Sequence, residues 1–155
     1  LAETGIRKIV LASTVGATAE YAMDHYRGKD IQLIIVPHQY GFSPTGQRFP
    51  QALVERAHAE GHEVYFGTML FHTDKLFGVG TPQWVAEFLR MFCQGVKVCV
   101  EILLMAANAG LVETGEQVVV VAGSGRGADT ALIMTGGTSM DPKKAHISQI
   151  LCKPL

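Results

Sequence analysis

The chain has 155 residues, 17 of them glycine, a length suited to one domain. Its 13 Lys and Arg stand against 14 Asp and Glu, a formal charge of −1, which leaves no basic footprint for nucleic acid or for an anionic membrane surface. With 48% hydrophobic and 17% charged residues the sequence can fill a core and is too apolar for disorder, yet Lys97, Glu101 and Asn108 interrupt the longest apolar run, so that none reaches the ~18 residues of a membrane span.

In chain order, LAETG reads as the end of a helix closed by Gly5, with the expectation that an upstream segment precedes Leu1. Residues 6–12 (IRKIVLA), 31–36 (IQLIIV) and 63–66 (EVYF) are short, nearly continuous apolar runs, the pattern of strands covered on both faces. Between them, residues 17–26 and 50–59 have helical composition and end at Gly28 and Gly61, where glycine takes the left-handed turn that closes a helix. A longer helical region at 82–109 carries an apolar stripe of Trp84, Val85, Phe88, Leu89 and Phe92, breaks near Gly95 and ends at Gly110. Strands follow at 117–122 (QVVVVA) and 130–135 (TALIMT), with a last strand-like stretch around 147–152. Alternating helix and buried strand predicts a parallel α/β sheet, and the late strands are too close for a parallel crossover, so they form a hairpin with an antiparallel edge. Three cysteines, Cys93, Cys99 and Cys152, without a CxxC pair exclude a disulfide framework and a structural zinc, and point to the reducing cytoplasm.

Four segments carry candidate chemistry. ASTVGATAE, after the first strand, offers Ser13, Thr14, Gly16 and Thr18 with no carboxylate before Glu20: either a well-capped helix or an anion cradle. Its place at a strand's carboxyl end favours a ligand. GSGRGADT fits G-x-G-x-x-A, but a strand follows at once and no crossover helix has room, so the dinucleotide reading fails. What remains is a plain tight hairpin or a glycine-rich turn (Gly123, Ser124, Gly125, Gly127) whose backbone N–H groups form an anion nest, with Arg126 as a charged clamp and Asp129 and Thr130 as polar contacts. After the second strand, His38, Gln39, Tyr40, Gly41 and Phe42 offer a titratable ring, an amide and aromatic faces for a planar ligand, and Gly67 and Thr68 fall in the corresponding place after the third. His58 and His62 lack an HExxH context, and no metal site is expected there. Lys97, Glu101 and Asn108 share one face of an apolar helix, as an intrahelical pair, a wall of the ligand crevice or a subunit contact. His38, or Lys97 with Glu101, are the acid–base candidates if the chain is an enzyme, but no catalytic triad, phosphate-binding Walker loop or glycosidase carboxylate pair is recognisable.

These strings also have a family resemblance. IVLASTVGATAEYA and GLVETGEQVVVVAGSGRGADTALIM resemble the C-terminal α/β domain of pyruvate kinase, where a Ser/Thr-Gly loop and a Ser-Gly-x-Gly turn cradle the phosphates of an allosteric sugar bisphosphate. VPHQYGF, FLRMFCQGVKVCVEILLMAANAGL, GSGRGADTA and ILCKP are similar to stand-alone pyruvate kinase C-terminal-like proteins of archaea and bacteria, over nearly the whole chain. The resemblance implies a single three-layer α/β domain over residues 1–155, with a mixed, mostly parallel sheet of about five strands ordered 3-2-1-4-5. A (β/α)₈ barrel needs ~250 residues, so chemistry on phosphoenolpyruvate is not expected of this length. It further implies flavin mononucleotide (FMN) in the crevice, with Ser13, Thr14, Gly16 and Thr18 on the phosphate, residues 123–130 along the other wall, and His38 to Phe42 near the ring. A sugar-phosphate or nucleotide sensor is the alternative ligand reading, and a homo-oligomeric assembly module built on residues 82–109 is the alternative to both. The chain departs from its relatives at TSMDPKKAH, residues 138–146, where they carry an aromatic-containing stretch.

Overall fold

The computed structural model describes residues 4–155. Strand β1 (Lys8–Ala12) leads through α1 (Ala17–Tyr26) to β2 (Gln32–Val36), and α2 (Gln51–Ala59) leads to β3 (Glu63–Val64). Three helices follow, α3 (Asp74–Phe77), α4 (Thr81–Arg90) and α5 (Gln94–Asn108), and the chain ends with β4 (Gln117–Ala122), β5 (Thr130–Thr135) and β6 (His146–Cys152). The six strands form one sheet in the order β3-β2-β1-β4-β5-β6. The first four in that row run parallel, and β5 and β6 are antiparallel.

Register explains the apolar runs. Val10 lies opposite Ile34 on one side and Val120 on the other, and all three point to the face covered by α5. Their neighbours Ile9, Leu11, Leu33, Ile35 and Val119 point to the opposite face, against Ala19 and Met23 of α1 and Ala57 of α2. Because side chains alternate along a strand, a strand buried on both faces has no polar position to spare. Two apolar layers result, one on each side of the sheet.

Several details differ from the sequence expectation. The sheet has six strands rather than about five, because β6 adds to β5 along an edge with two register shifts. Strand β3 stops at Val64: Tyr65 still donates its N–H to the Ile35 carbonyl at 2.9 Å, but Phe66 turns away to pack its ring against Tyr40 and Phe49. The long helical region breaks at residues 91–93, ahead of Gly95, since Cys93 adopts an extended backbone and its Sγ accepts the Val96 N–H at 3.4 Å, capping α5. Helix α3, four residues long, has no clear periodic signal in the sequence. Gly28, Gly61 and Gly110 take positive φ values at helix ends as expected, whereas the helix read into LAETG falls on residues 1–3, outside the described ones. Among the described residues no helix is long and apolar enough to cross a membrane.

The layer under α5 sets the stability of the fold. Leu103 is fully buried there, among Val10, Val118 and Leu132. Leu103→Ala is expected to lower unfolding free energy by about 2–5 kcal/mol. Leu151→Ala, on the exposed β6 edge, should change it by less than ~0.5 kcal/mol in a urea titration of both variants.

Candidate functional site

Where the order of strands reverses direction, β1 has β2 on one side and β4 on the other, and the loops leaving their carboxyl ends diverge. The gap between those loops is a cavity of about 710 Å³. Its walls are the loop after β1, the loop after β2 and the glycine loop after β4, and its floor is the first three turns of α5. A second recess, of about 400 Å³, lies at the opposite ends of the strands around Gly28, Lys29 and Gly61.

Part of the cavity lining suits negative charge. Ser13 is buried and its Oγ accepts the Ala19 N–H at 3.2 Å, so this hydroxyl caps α1. The N–H groups of Ala17 and Thr18, in the first turn, have no acceptor within the helix, and both residues line the cavity. Gly16 takes φ +93° at the N-cap, and a Cβ there would run into Leu53 and crowd Pro50. Glycine is therefore needed to bring the start of α1 against α2 and leave its amides facing the gap. Arg48 and Arg126 both line the same cavity, and among the described residues neither guanidinium has a carboxylate partner. Two free cations and a helix N-terminus around one space attract an anion.

A second wall is made of rings. His38 packs edge-on to Phe42 at 4.5 Å between centroids, and Phe42 packs edge-on to His72 at 5.3 Å. Thr14 Oγ1 lies 3.3 Å from His38 Nε2, joining this wall to the loop after β1. Burial, with the nearby His72 and Arg48, holds the His38 pKa below its ordinary value, so the ring is neutral at pH 7.

The floor holds a buried ion pair. Lys97 and Glu101 are 1% and 2% exposed and stand one turn apart on α5, with Lys97 Nζ 2.6 Å from Glu101 Oε2. The other oxygen, Oε1, accepts the Phe71 N–H at 2.8 Å and lies 3.2 Å from His72 Nδ1. Lys97 Nζ also sits over the Phe71 ring, 5.4 Å from its centroid. Burial opposes both charges. For Lys97 it prevails over the attraction of Glu101 and holds the ammonium pKa below the usual lysine value. For Glu101 it is outweighed by the His72 hydrogen bond, the Lys97 charge and the Phe71 N–H, which keep the carboxyl below its usual range and ionised.

Of the residues expected at a site, Ser13, Thr14, Thr18, His38, Phe42, Lys97, Gly123, Gly125, Arg126 and Gly127 line this cavity together. The others do not, each for a visible reason. Gly16 acts behind the wall, as described. Tyr40 points its ring to Phe66, and Gly41 turns the chain at φ +76°. Gly67 lies against the Tyr65 ring, where a Cβ would clash, and Thr68 is exposed outside the cavity wall. Ser124, Asp129 and Thr130 hold the glycine loop closed: Asp129 accepts the Ser124 N–H at 3.0 Å and the Thr130 hydroxyl at 2.7 Å. That hydroxyl bond is the main reason the Asp129 carboxyl sits below its usual pKa. Asn108, at the far end of α5, accepts bonds from Ser139 instead of joining Lys97 and Glu101. The departing stretch 138–146 contributes nothing to the cavity wall.

Sequence reasoning passed over Arg48, His72, Gln94 and the apolar floor of Met69, Val98, Ile102 and Met105. Arg48 sits in FSPTGQRFP between two prolines with no motif around it, and His72 lies in a loop whose path only the fold reveals. His62 is buried and accepts the Leu33 N–H on Nδ1 at 3.3 Å, a structural role, and among the described residues no cluster of three potential metal ligands exists.

Removing Glu101 leaves the Lys97 ammonium buried without its counter-charge. Glu101→Ala is expected to destabilise the protein by about 3–5 kcal/mol. The Glu101 carboxyl has a folded-state pKa below its unfolded value, so its contribution is full above the unfolded value of about 4.3 and disappears as pH falls through the folded one. Thermal melts from neutral to acid pH should therefore show a steeper loss of Tm in the wild type than in Glu101→Gln.

The chain is similar to the pyruvate kinase of Cryptosporidium parvum in complex with ADP, at 14% identity and a TM-score of 0.38, over 99% of this chain and 21% of that one. It thus spans about a fifth of the length of that solved relative, 21%. The family model described as pyruvate kinase, alpha/beta domain, matches residues 1–134. The chain belongs to the pyruvate kinase α/β-domain family.

Proposed function

We propose that the chain binds a phosphorylated small molecule in the cavity between the loops after β1 and β4, and that this ligand is FMN. The observation that carries the reading is that Arg48, Arg126 and the first turn of α1, with its open amides, all line one 710 Å³ cavity. That volume lies within the range of cofactor sites, ~300–1,000 Å³. In the proposed pose the phosphate rests on the Ala17 and Thr18 amides between the two guanidinium groups. Gly125, with open space where a Cβ would stand, lets the glycine loop approach the ligand closely.

The choice of a flavin over a sugar phosphate rests on the remaining surface. Besides Gln94 and the Lys97–Glu101 pair, the lining includes Met69, Val98, Ile102 and Met105, with the rings of His38, Phe42 and His72. A flat aromatic ring system buries its faces against this apolar and aromatic surface, whereas a sugar, polar on all sides, makes less use of it. A bound flavin supplies reversible electron-transfer chemistry. The residues of this chain would bind and orient it, with Met69, Val98, Ile102 and Met105 covering it from water and the neutralised Lys97–Glu101 pair beside it. Three free cysteines suit the reducing cytoplasm as the compartment.

Titration of FMN with the protein should quench flavin fluorescence, and riboflavin, lacking the phosphate, should bind at least about tenfold more weakly. Arg126→Ala and Arg48→Ala should each weaken FMN by about 10- to 100-fold, the worth of a charge-assisted hydrogen bond, and leave riboflavin unchanged. Equal binding of the two flavins would sink the phosphate corner. Stabilisation by a sugar bisphosphate but not by FMN in a thermal-shift panel would favour the sensor reading.

A further inference from the structure

Helix α4 packs against α5, with Ala86 buried and Leu89 packed against the core, and turns its other side outward. That outward side is apolar. Trp84 and Phe88, one turn apart, are followed by Met91 and Phe92 in the turn to α5, and the four are 57–80% exposed. In the segment leading into α4, Leu76, Phe77 and Val79 are 75–82% exposed as well. A side chain of this size offers on the order of 100 Å² in such a state, so the segment exposes roughly 700–900 Å² of apolar surface. The largest apolar patch of an ordinary monomer is ~300–600 Å². A standard protein interface buries ~800 Å² on each partner, which matches the surface left open here.

We propose that this face is the contact between two copies of the chain, α4 against α4 around a twofold axis. Charge favours a second copy over other occupants. Across a twofold axis every charge near the axis meets its own like, so a self-complementary face must be locally neutral. On α4 the only two charges, Glu87 and Arg90, neutralise each other through an intrahelical pair with 2.5 Å between Arg90 Nη1 and Glu87 Oε1. A helix that lies on a membrane needs a lysine- and arginine-rich polar side, which this one lacks. The pairing stands apart from the ligand reading, because none of the outward residues lines the cavity. It does reach the site's edge: Arg90 Nε donates to Gln94 Oε1 at 2.7 Å, and Gln94 is part of the cavity wall.

Sedimentation velocity of the purified chain from about 1 to 100 μM should show the mass doubling as concentration rises. Trp84 is the only tryptophan in the sequence, so its emission should move to shorter wavelength over the same range. Phe88→Glu and Met91→Lys, checked for fold by circular dichroism, should raise the dimer dissociation constant at least about tenfold, and Tyr21→Glu on exposed α1 should not. A monomer throughout the range, a dimer with unshifted Trp84 emission, or flotation with phosphatidylglycerol vesicles in place of self-association would each overturn the proposal.

Discussion

Helix α5 lies across β1, β2, β4 and β5, and a helix in that position has almost no side from which a charge can reach water. Lys97 and Glu101 are nonetheless on it, and they persist there because they face one another and because the carboxylate collects two more bonds from the segment at Phe71 and His72. Isolated, either charge would be too costly to bury. Paired, they tie α5 to the loop after β3 and fix the floor on which the cavity stands. The position of His72, and through it of Phe42 and His38, follows from the same carboxylate.

Topology decides the rest of the site. Parallel strands put all their carboxyl ends at one edge, and the reversal of strand order between β1 and β4 opens a gap there that no crossover fills. The loop after β1 spends its polar groups in two directions: Ser13 turns inward to cap α1, while Thr14 and the helix amides face the gap. The loop after β4 is folded back so tightly that a Cβ at Gly123 would meet the Gly127 carbonyl, and the Asp129 side chain locks it. Both loops are thus held by contacts of their own, and Arg48 and Arg126 line the cavity beside them.

Much of the fold could be read from the residues. Strands β4 and β5 and helix α1 lie where VVVVA, TALIMT and ATAEYAMDHY place them, because buried strands and glycine-closed helices have few alternatives. The hairpin at the end follows from the short spacing between the late strands, too short for a parallel crossover. The extent of β3 could not be read, since Tyr65 and Phe66 suit a strand as well as any residue and leave the sheet only to meet Tyr40 and Phe49. Site residues divided the same way. Those beside glycine loops were visible, but Asp129 and Thr130 looked like ligand contacts and turned out to hold the loop, a distinction that depends on where two side chains point. Arg48 and His72 reach the cavity from loops whose course is set by tertiary packing, and no local pattern marks them.

The proposal places FMN at the carboxyl ends of the strands, and the amide resonances test that placement directly. In a ¹⁵N-labelled sample titrated with FMN, the signals of Ala17, Thr18 and Gly125 to Gly127 should move together and saturate at one concentration. Shifts confined to Gly28, Lys29 and Gly61, around the recess at the opposite strand ends, would contradict the account.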